Sequence, residues 1–376
     1  MNLGSSGVVL LRPGDRVPSS RVPFGIESQS MPHHRLLVVQ PLPGIGDMLW
    51  HLPHIRALAR VAGGPVTLAA KPRSLADQIF AAEDTVRDII WVDRNPKGGR
   101  GLHDGPLGLQ RLVQTLRRHR FDAAVLLHHS VSLAFAAWAA GIADRRGYGI
   151  GAQRWFLSGG PYLAKDVWRA NRPMQRSTRF LQASNISLDT GDYALPIAAG
   201  ARAAVQQRLH AVPRPVAVLG VGSSEPSRQW GAPRFAALAQ ALLDAGWPSL
   251  ILVGGLGEAS LYQDIAARLS DRAMCLVPAL GWHLGETAAL LAASSFYVGN
   301  DTGVMNMAAA VGTRAYALFG TTPPLQHSPN IVPILSEWQG RIDGAARITL
   351  DSVLAVIERD RGTVGPTGEC AESATA

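Results

Sequence analysis

Cysteine is almost missing from this chain: Cys275 and Cys370 stand alone among 376 residues. Without a CxxC or a paired spacing they support neither a disulfide framework nor a structural zinc site, and a reducing, cytoplasmic setting is expected. Long apolar runs are missing too, since no stretch reaches the length of a signal-peptide core or a membrane span. Aromatic residues are only 6% of the total, while apolar residues reach 47% and glycine contributes 39 positions. That balance suits closely packed helices on parallel strands and argues against a disordered chain. Acidic residues are in deficit, 28 against 36 lysines and arginines, for a net charge of +8. The positive charge is scattered in pieces such as Arg117-Arg118-His119-Arg120 and Arg145-Arg146. Each piece alone reads as a solvated helix face, but the sum favours acidic partners: phosphorylated sugars, nucleotides or an anionic leaflet.

A chain of this length exceeds one ordinary hydrophobic core, so two domains with a cleft between them are expected. Residues 1–34 read as a disordered tail, with Met31 an alternative start immediately before the first strong strand. Residues 35–190 read as one Rossmann-like α/β domain, its strands Arg35–Gln40, Val66–Ala70, Ile89–Val92 and Ala123–Leu127 short, apolar and separated by helical or loop lengths. The pattern weakens from about Gly149 to Gly200, where the linker is placed. Residues 200–345 then repeat the strand–helix alternation, 349–360 form a final helix, and 361–376 a second disordered tail. No repeat of solenoid period occurs, so two Rossmann-like halves are the simplest architecture.

In open α/β sheets ligands gather at the carboxyl ends of strands, and four places there stand out. Gly44-Ile45-Gly46-Asp47 follows the first strand. It is a poor dinucleotide fingerprint, because Leu49 replaces the third small residue and the second strand ends in Lys71 rather than an acid. Asp47 reads first as a helix N-cap, ahead of any catalytic role. Gly220-Val221-Gly222-Ser223-Ser224 precedes Pro226-Ser227-Arg228, a set of glycines, hydroxyls and a cation that either grips a diphosphate or makes an ordinary tight turn. Gly254-Gly255-Leu256-Gly257-Glu258 offers a carboxylate to ribose hydroxyls, or merely a helix-start glutamate. Val298-Gly299-Asn300-Asp301-Thr302-Gly303 leads from a strand into a helix whose free amides suit a diphosphate, with capping as the plain alternative. His128-His129 end the Ala123–Leu127 strand and point to the same cleft if the topology is as read, although such a pair is more often packing.

With those places located, the chain resembles the ADP-heptose:lipopolysaccharide heptosyltransferases, glycosyltransferase family nine. The likeness runs through LLVVQPLPGIGDMLWHLPHIRALA, VGSSEPSRQWGAPRFAALAQAL and GETAALLAASSFYVGNDTGVMNMAAAVGTRAYALFGTTPP, from about Leu36 to Pro324.

The resemblance implies a GT-B fold, with an acceptor-binding first domain, a sugar-nucleotide-binding second domain and inversion at the anomeric carbon without a metal or cofactor. Asp47 matches the family's catalytic aspartate. Ser223, Ser224 and Arg228 match diphosphate-binding positions, Arg228 standing where lysine is usual. Asp301, Thr302 and Gly303 match the block that holds phosphates and donor sugar, and Glu258 lies near the family's ribose-binding acid. Gly46 and His128 fall on the acceptor side. Three departures mark this chain: Asn306, in the donor-sugar segment, replaces the usual histidine, Gln40 a commonly basic residue, and Pro43 a common serine. The implied reaction moves heptose or a similar sugar from an ADP-sugar to a saccharide hydroxyl, most directly in lipopolysaccharide core assembly. An O-chain, a small metabolite or a protein acceptor are the alternatives, as is a non-catalytic sugar-nucleotide-binding homologue. No nucleic-acid partner is implied, and contact with the inner leaflet would be peripheral.

Overall fold

The computed structural model describes residues 35–95, 99–223, 225–320, 323–324, 327–336 and 344–366. Two parallel sheets carry the architecture. The first is built from β1 (Leu36–Gln40), β2 (Val66–Ala70), β3 (Val86–Trp91), β4 (Ala123–Leu126) and β5 (Asp144–Gly147). Around it lie α1 (Ile45–Trp50), α2 (Leu52–Ala62), α3 (Ala76–Ile79), α4 (Gly105–His119), α5 (Val131–Ala139), α6 (Lys165–Ala170) and α7 (Pro173–Ala183). After α8 (Ala199–Arg208), the second sheet contains β6 (Val216–Gly220), β7 (Ser249–Gly254), β8 (Leu276–Leu280), β9 (Phe296–Asn300), β10 (Ala315–Phe319) and β11 (Ile331–Leu335). Its helices are α9 (Ala232–Asp244), α10 (Ala259–Leu269), α11 (Leu284–Ala292), α12 (Gly303–Ala310) and α13 (Leu350–Arg361).

The strand orders are β3-β2-β1-β4-β5 and β11-β10-β9-β6-β7-β8, with every pairing parallel. This is the GT-B arrangement of two Rossmann-like halves. Each order reverses once, between β1 and β4 in the first sheet and between β6 and β9 in the second, and such a switch point opens a crevice where ligands enter. β1, β2, β4, β6, β9 and β10 are buried along their whole length, which is why they read as mostly apolar runs.

Packing is heaviest around large side chains with a satisfied polar tip. Trp230 is fully buried, meets Phe235 edge-to-face at 5.0 Å and donates its indole N–H to the Ile348 carbonyl at 2.8 Å. Trp247 does the same with Phe296 and the Val364 carbonyl. These contacts fasten the chain after β11 onto the second sheet. The loop that leaves β6 therefore starts from a rigid base.

Several elements depart from the sequence reading. The first helix starts at Ile45, so Asp47 lies within it rather than capping it, and the weakly patterned stretch after Gly149 holds α6 and α7. β5 and β11 were not anticipated: β5 reads Asp-Arg-Arg-Gly, and β11 contains Pro333 on the sheet edge, where its missing N–H is tolerated. The tails expected to be disordered, 1–34 and residues 367–376 of 361–376, lie outside the described residues.

Candidate active site

Gln40 closes β1 and is fully buried. Its Oε1 accepts the Leu42 N–H at 3.2 Å and its Nε2 donates to the Asp47 carbonyl at 3.3 Å, so the side chain shapes the turn into α1. The N-cap of α1 is Gly44, not Asp47. Asp47 sits one turn in, and its Oδ2 reaches back to accept the Gly44 N–H at 3.2 Å. Burial raises the Asp47 pKa above its ordinary value, and both the Gly44 bond and the attraction of Arg228 pull part of that rise back. The carboxylate is thereby a stronger base than a free aspartate.

A buried relay holds the other end of this residue. α1 stops at Trp50, and the His51 N–H turns back to the Met48 carbonyl, leaving the Asp47 carbonyl without its helical donor. The His51 ring takes over, its Nδ1 2.6 Å from the Asp47 oxygen. On the far side, His51 Nε2 lies 3.0 Å from Ser177 Oγ, and Ser177 Oγ lies 2.7 Å from the Tyr148 hydroxyl. With Nδ1–H donating to Asp47, Ser177 donates to Nε2 and Tyr148 donates to Ser177; the 2.6 Å contact to Asp47 favours this assignment over one in which Nδ1 accepts from Gln40 Nε2 at 3.2 Å. Complete burial keeps the imidazole neutral, with a pKa pushed down to about 4, only partly opposed by its bond to Asp47. Ser177 and His51 have no exposed surface, and Tyr148 is 2% exposed.

Beside this, just after β4, the His128 and His129 rings lie tilted at 31° with centroids 4.4 Å apart, and His129 meets Trp168 edge-to-face at 5.4 Å. Burial first, then the charges of His129, His51, Lys71 and Arg176, pushes the His128 pKa down to about 3. Its Nδ1 is buried without a hydrogen-bond partner among the described residues.

On the second sheet, Ser223 makes a closed turn with Glu225, accepting its N–H at 3.2 Å and donating to its carbonyl at 2.8 Å. Ser224 lies outside the described residues. Pro226–Arg228 form a single 3-10 turn. That turn aims Arg228 at Asp301, whose Oδ2 is 3.3 Å from Nη1, while Nε lies 3.1 Å from the Glu225 carboxylate. Asn300, fully buried at the end of β9, ties the loops together. Its Oδ1 accepts the Trp230 N–H at 3.1 Å, and its Nδ2 lies 2.9 Å from the Val221 carbonyl and 3.1 Å from Gln229 Oε1. The Glu258 carboxylate folds over the turn after β7, with Oε1 3.5 Å from where a Cβ on Gly222 would stand. The β6 and β7 loops thus share one acid.

The two halves meet at the first turns of α1 and α12. A Cβ on Gly303 would stand 2.8 Å from the Ile45 Cβ and 3.0 Å from the Gly46 nitrogen, and one on Gly46 would lie 3.1 Å from Asn306 Nδ2. Only glycine allows that approach. A direct clasp crosses the junction: Trp50 Nε1–H donates to Asn306 Oδ1 at 2.7 Å, and Asn306 Nδ2 donates to the Thr302 carbonyl at 2.9 Å. Thr302 is the N-cap of α12, yet its hydroxyl makes no capping bond. The helix amides at this end therefore remain available to an anion.

Asp47, Gly46, Arg228, Asp301, Thr302, Gly303 and Asn306 are thus gathered at one junction, with Ser223 and Glu258 on the adjoining loops of the second sheet and His128 on the first. Asn306 is engaged on both sides of its amide. Missing from the sequence reading were Trp50, the anchoring role of Asn300 and the His51–Ser177–Tyr148 relay. A polar residue ending an otherwise apolar strand was the signal available for Asn300. The relay and the clasp join residues 126 and 256 positions apart, which no local pattern shows.

Comparison with known proteins agrees with this fold. The model of glycosyltransferase family 9 (heptosyltransferase) matches residues 109–335. Lipopolysaccharide heptosyltransferase 2 of Escherichia coli K12 is 26% identical over 243 residues, 60% of this chain and 69% of that protein. Among solved structures, the family 9 glycosyl transferase of Veillonella parvula superposes with a TM-score of 0.71 at 18% identity, covering 88% of this chain and 98% of the other. The E. coli ADP-heptose lps heptosyltransferase II gives 0.68 at 20% identity, covering 87% and 99%. Two parallel α/β sheets, a cleft at their switch points and a family match across most of the span together identify the chain as a glycosyltransferase of family 9.

Proposed function

We propose that this enzyme transfers heptose, or a closely similar sugar, from an ADP-sugar to a hydroxyl of a lipopolysaccharide inner-core saccharide, with inversion. The observation that carries the reading is the junction of α1 and α12. A carboxylate with a raised pKa stands on one side, and an arginine with a helix N-terminus on the other, as displacement of a diphosphate by a hydroxyl requires. The names of the relatives, lipopolysaccharide heptosyltransferase 2 and ADP-heptose lps heptosyltransferase II, support the choice of donor and acceptor.

In this mechanism the acceptor oxygen attacks C1 while the C1–O bond to the diphosphate breaks. Asp47 takes the hydroxyl proton as the new bond forms, and ADP leaves with the electron pair. Arg228 leaves Asp301 to meet the developing charge, joined by the amides of Thr302 and Gly303 and by the hydroxyls of Ser223 and Ser224. Asp301 accepts from hydroxyls of the donor sugar, and Glu258 from those of the ribose. Asn306, held by Trp50, fixes the separation of the two helix ends and with it the reach from Asp47 to C1. Gly46 and the neutral His128 border the acceptor. The first domain, 35–190, thus takes the acceptor and the second, 200–345, the donor. The reading places the enzyme on the cytoplasmic side. No helix among the described residues is long and apolar enough to cross a membrane.

A thermal-shift and calorimetric screen against ADP, UDP, GDP and CMP tests the donor. Selective stabilisation by ADP that is lost in Arg228→Ala supports the reading. A preference for UDP or GDP discards heptose, and no response to any nucleotide overturns the assignment.

A further inference from the structure

We propose that the outer surface formed by α4, α5 and the 3-10 turn Gly151–Phe156 is a docking face for an anionic lipid bilayer. The proposal rests on the reading that the acceptor is a membrane-held glycolipid, and it names the surface that would meet that membrane. These three elements pack against one another over one face of the first sheet. Their inward residues, Leu112, Leu116, Leu133 and Ala137, are buried. Their outward residues include large apolar groups that a water-facing surface has no reason to show: Leu107 is 72% exposed, Trp138 51% and Trp155 81%. Trp138 is not a lone side chain. Its ring lies 5.9 Å from Phe156, next in sequence to Trp155, and both rings contact Phe135. The aromatic patch is therefore continuous from α5 to the turn.

The charge on the same stretch selects the occupant. Residues 105–164 hold seven arginines (Arg111, Arg117, Arg118, Arg120, Arg145, Arg146 and Arg154) against two acids, Asp122 and Asp144. Both acids are already paired, Asp122 with Arg35 and Asp144 with Arg146. Arg117 donates to the Ala139 carbonyl beside Trp138, and Arg154 lies over the Tyr162 ring one position before Trp155, so cations flank the aromatic groups at both ends. A second copy of this face would meet its own like charge across a two-fold interface. Indole rings settle at the lipid headgroup level and arginines seek anionic headgroups, so a negatively charged bilayer satisfies both.

The position also suits the chemistry. α5 begins two residues after His129, and the Gly151–Phe156 turn follows β5, so each starts from the carboxyl end of a strand of the first sheet. That is the edge where His128 and Asp47 stand. A bilayer against this face lies beside the acceptor side of the cleft, away from the donor loops.

The test is co-sedimentation of the full chain with vesicles of phosphatidylcholine alone and of phosphatidylcholine containing phosphatidylglycerol, with tryptophan emission read on the same samples. Wild type is expected to bind the anionic vesicles with a blue shift, on the order of tenfold tighter than neutral ones and weakening with salt. Trp138→Ala/Trp155→Ala and, separately, Arg118→Glu/Arg154→Glu should each lose that binding, while Met274→Ala, a similarly exposed apolar site on the second domain, should retain it. The charge variant keeps the test meaningful should the tryptophan variant fold poorly. Equal binding to both vesicle types, wild-type binding by the charge variant, or self-association of wild type that the variants abolish would each overturn the proposal. ADP-dependent stabilisation of the same samples reports on the donor site independently, so failure of the lipid surface and failure of the transferase reading are distinguishable.

Discussion

Replacing Ser177 with alanine should damage the protein far more than the loss of one oxygen suggests. Ser177 Oγ is the middle of the relay, 3.0 Å from His51 Nε2 and 2.7 Å from the Tyr148 hydroxyl, in a site without solvent. Alanine strands two buried polar groups at once. Each unmet group costs about 1–3 kcal/mol, so the expected loss is about 2–6 kcal/mol. The void left by one hydroxyl is too small to admit a water that would repair it. Tyr148→Phe removes only the outermost donor and leaves Ser177 donating to His51, for a cost of about 1 kcal/mol. Urea denaturation of the two variants, compared by midpoint at constant slope, measures the difference. Because His51 holds the Asp47 carbonyl, Ser177→Ala should also lower kcat while leaving ADP affinity unchanged, since nothing in the relay touches the donor loops. If Ser177→Ala costs no more than Tyr148→Phe, the relay does not run as assigned.

Gly303→Ala should force apart the first turns of α1 and α12, reducing kcat/KM on the order of a hundredfold for a displacement near 1 Å, with circular dichroism unchanged. Asn300→Ala should weaken ADP binding measured by calorimetry, because the β6 loop, Gln229 and Trp230 lose their common anchor. The acid limb of the kcat/KM profile should lie above the ordinary carboxylate value of 3.8: the Asp47 pKa is raised, so activity is lost as pH falls through that raised value. Stability should fall as pH drops from about 6.5 toward 4. Unfolded His51 titrates near 6.5 and folded His51 near 4, so between them the unfolded chain binds more protons; this group alone contributes about 3 kcal/mol, read as a shift in urea midpoint with pH.

The strands buried on both faces were legible because a parallel sheet covered by helices asks for apolar residues along most of their length, as in Leu36 to Val39 and Phe296 to Val298. β5 was not, because its arginines point to side-chain and carbonyl partners at the sheet edge and leave no apolar signal. α6 and α7 were obscured for a related reason: α6 buries no residue, and α7 buries Ser177 as part of a polar relay, so helical periodicity is diluted. At the site, the strand-end rule put Asp47 after β1 of the first sheet and Arg228, Glu258 and Asp301 after β6, β7 and β9 of the second, and the topology has them there. What sequence could not supply was their mutual support. Gly303 reads as a phosphate-loop glycine, yet its sharpest constraint is the body of Ile45 from the other domain. Asn306 reads as a substitution at a sugar-binding position, yet its amide closes the junction with Trp50.

The most direct test is single-turnover transfer from ADP-heptose to a deacylated inner-core saccharide by wild type and by Asp47→Asn, with ADP affinity measured on both. The account predicts a rate loss of about 10²–10⁴-fold at unchanged ADP affinity, the contribution of a positioned general base. A loss of only a few fold would remove Asp47 from the chemistry and contradict the mechanism.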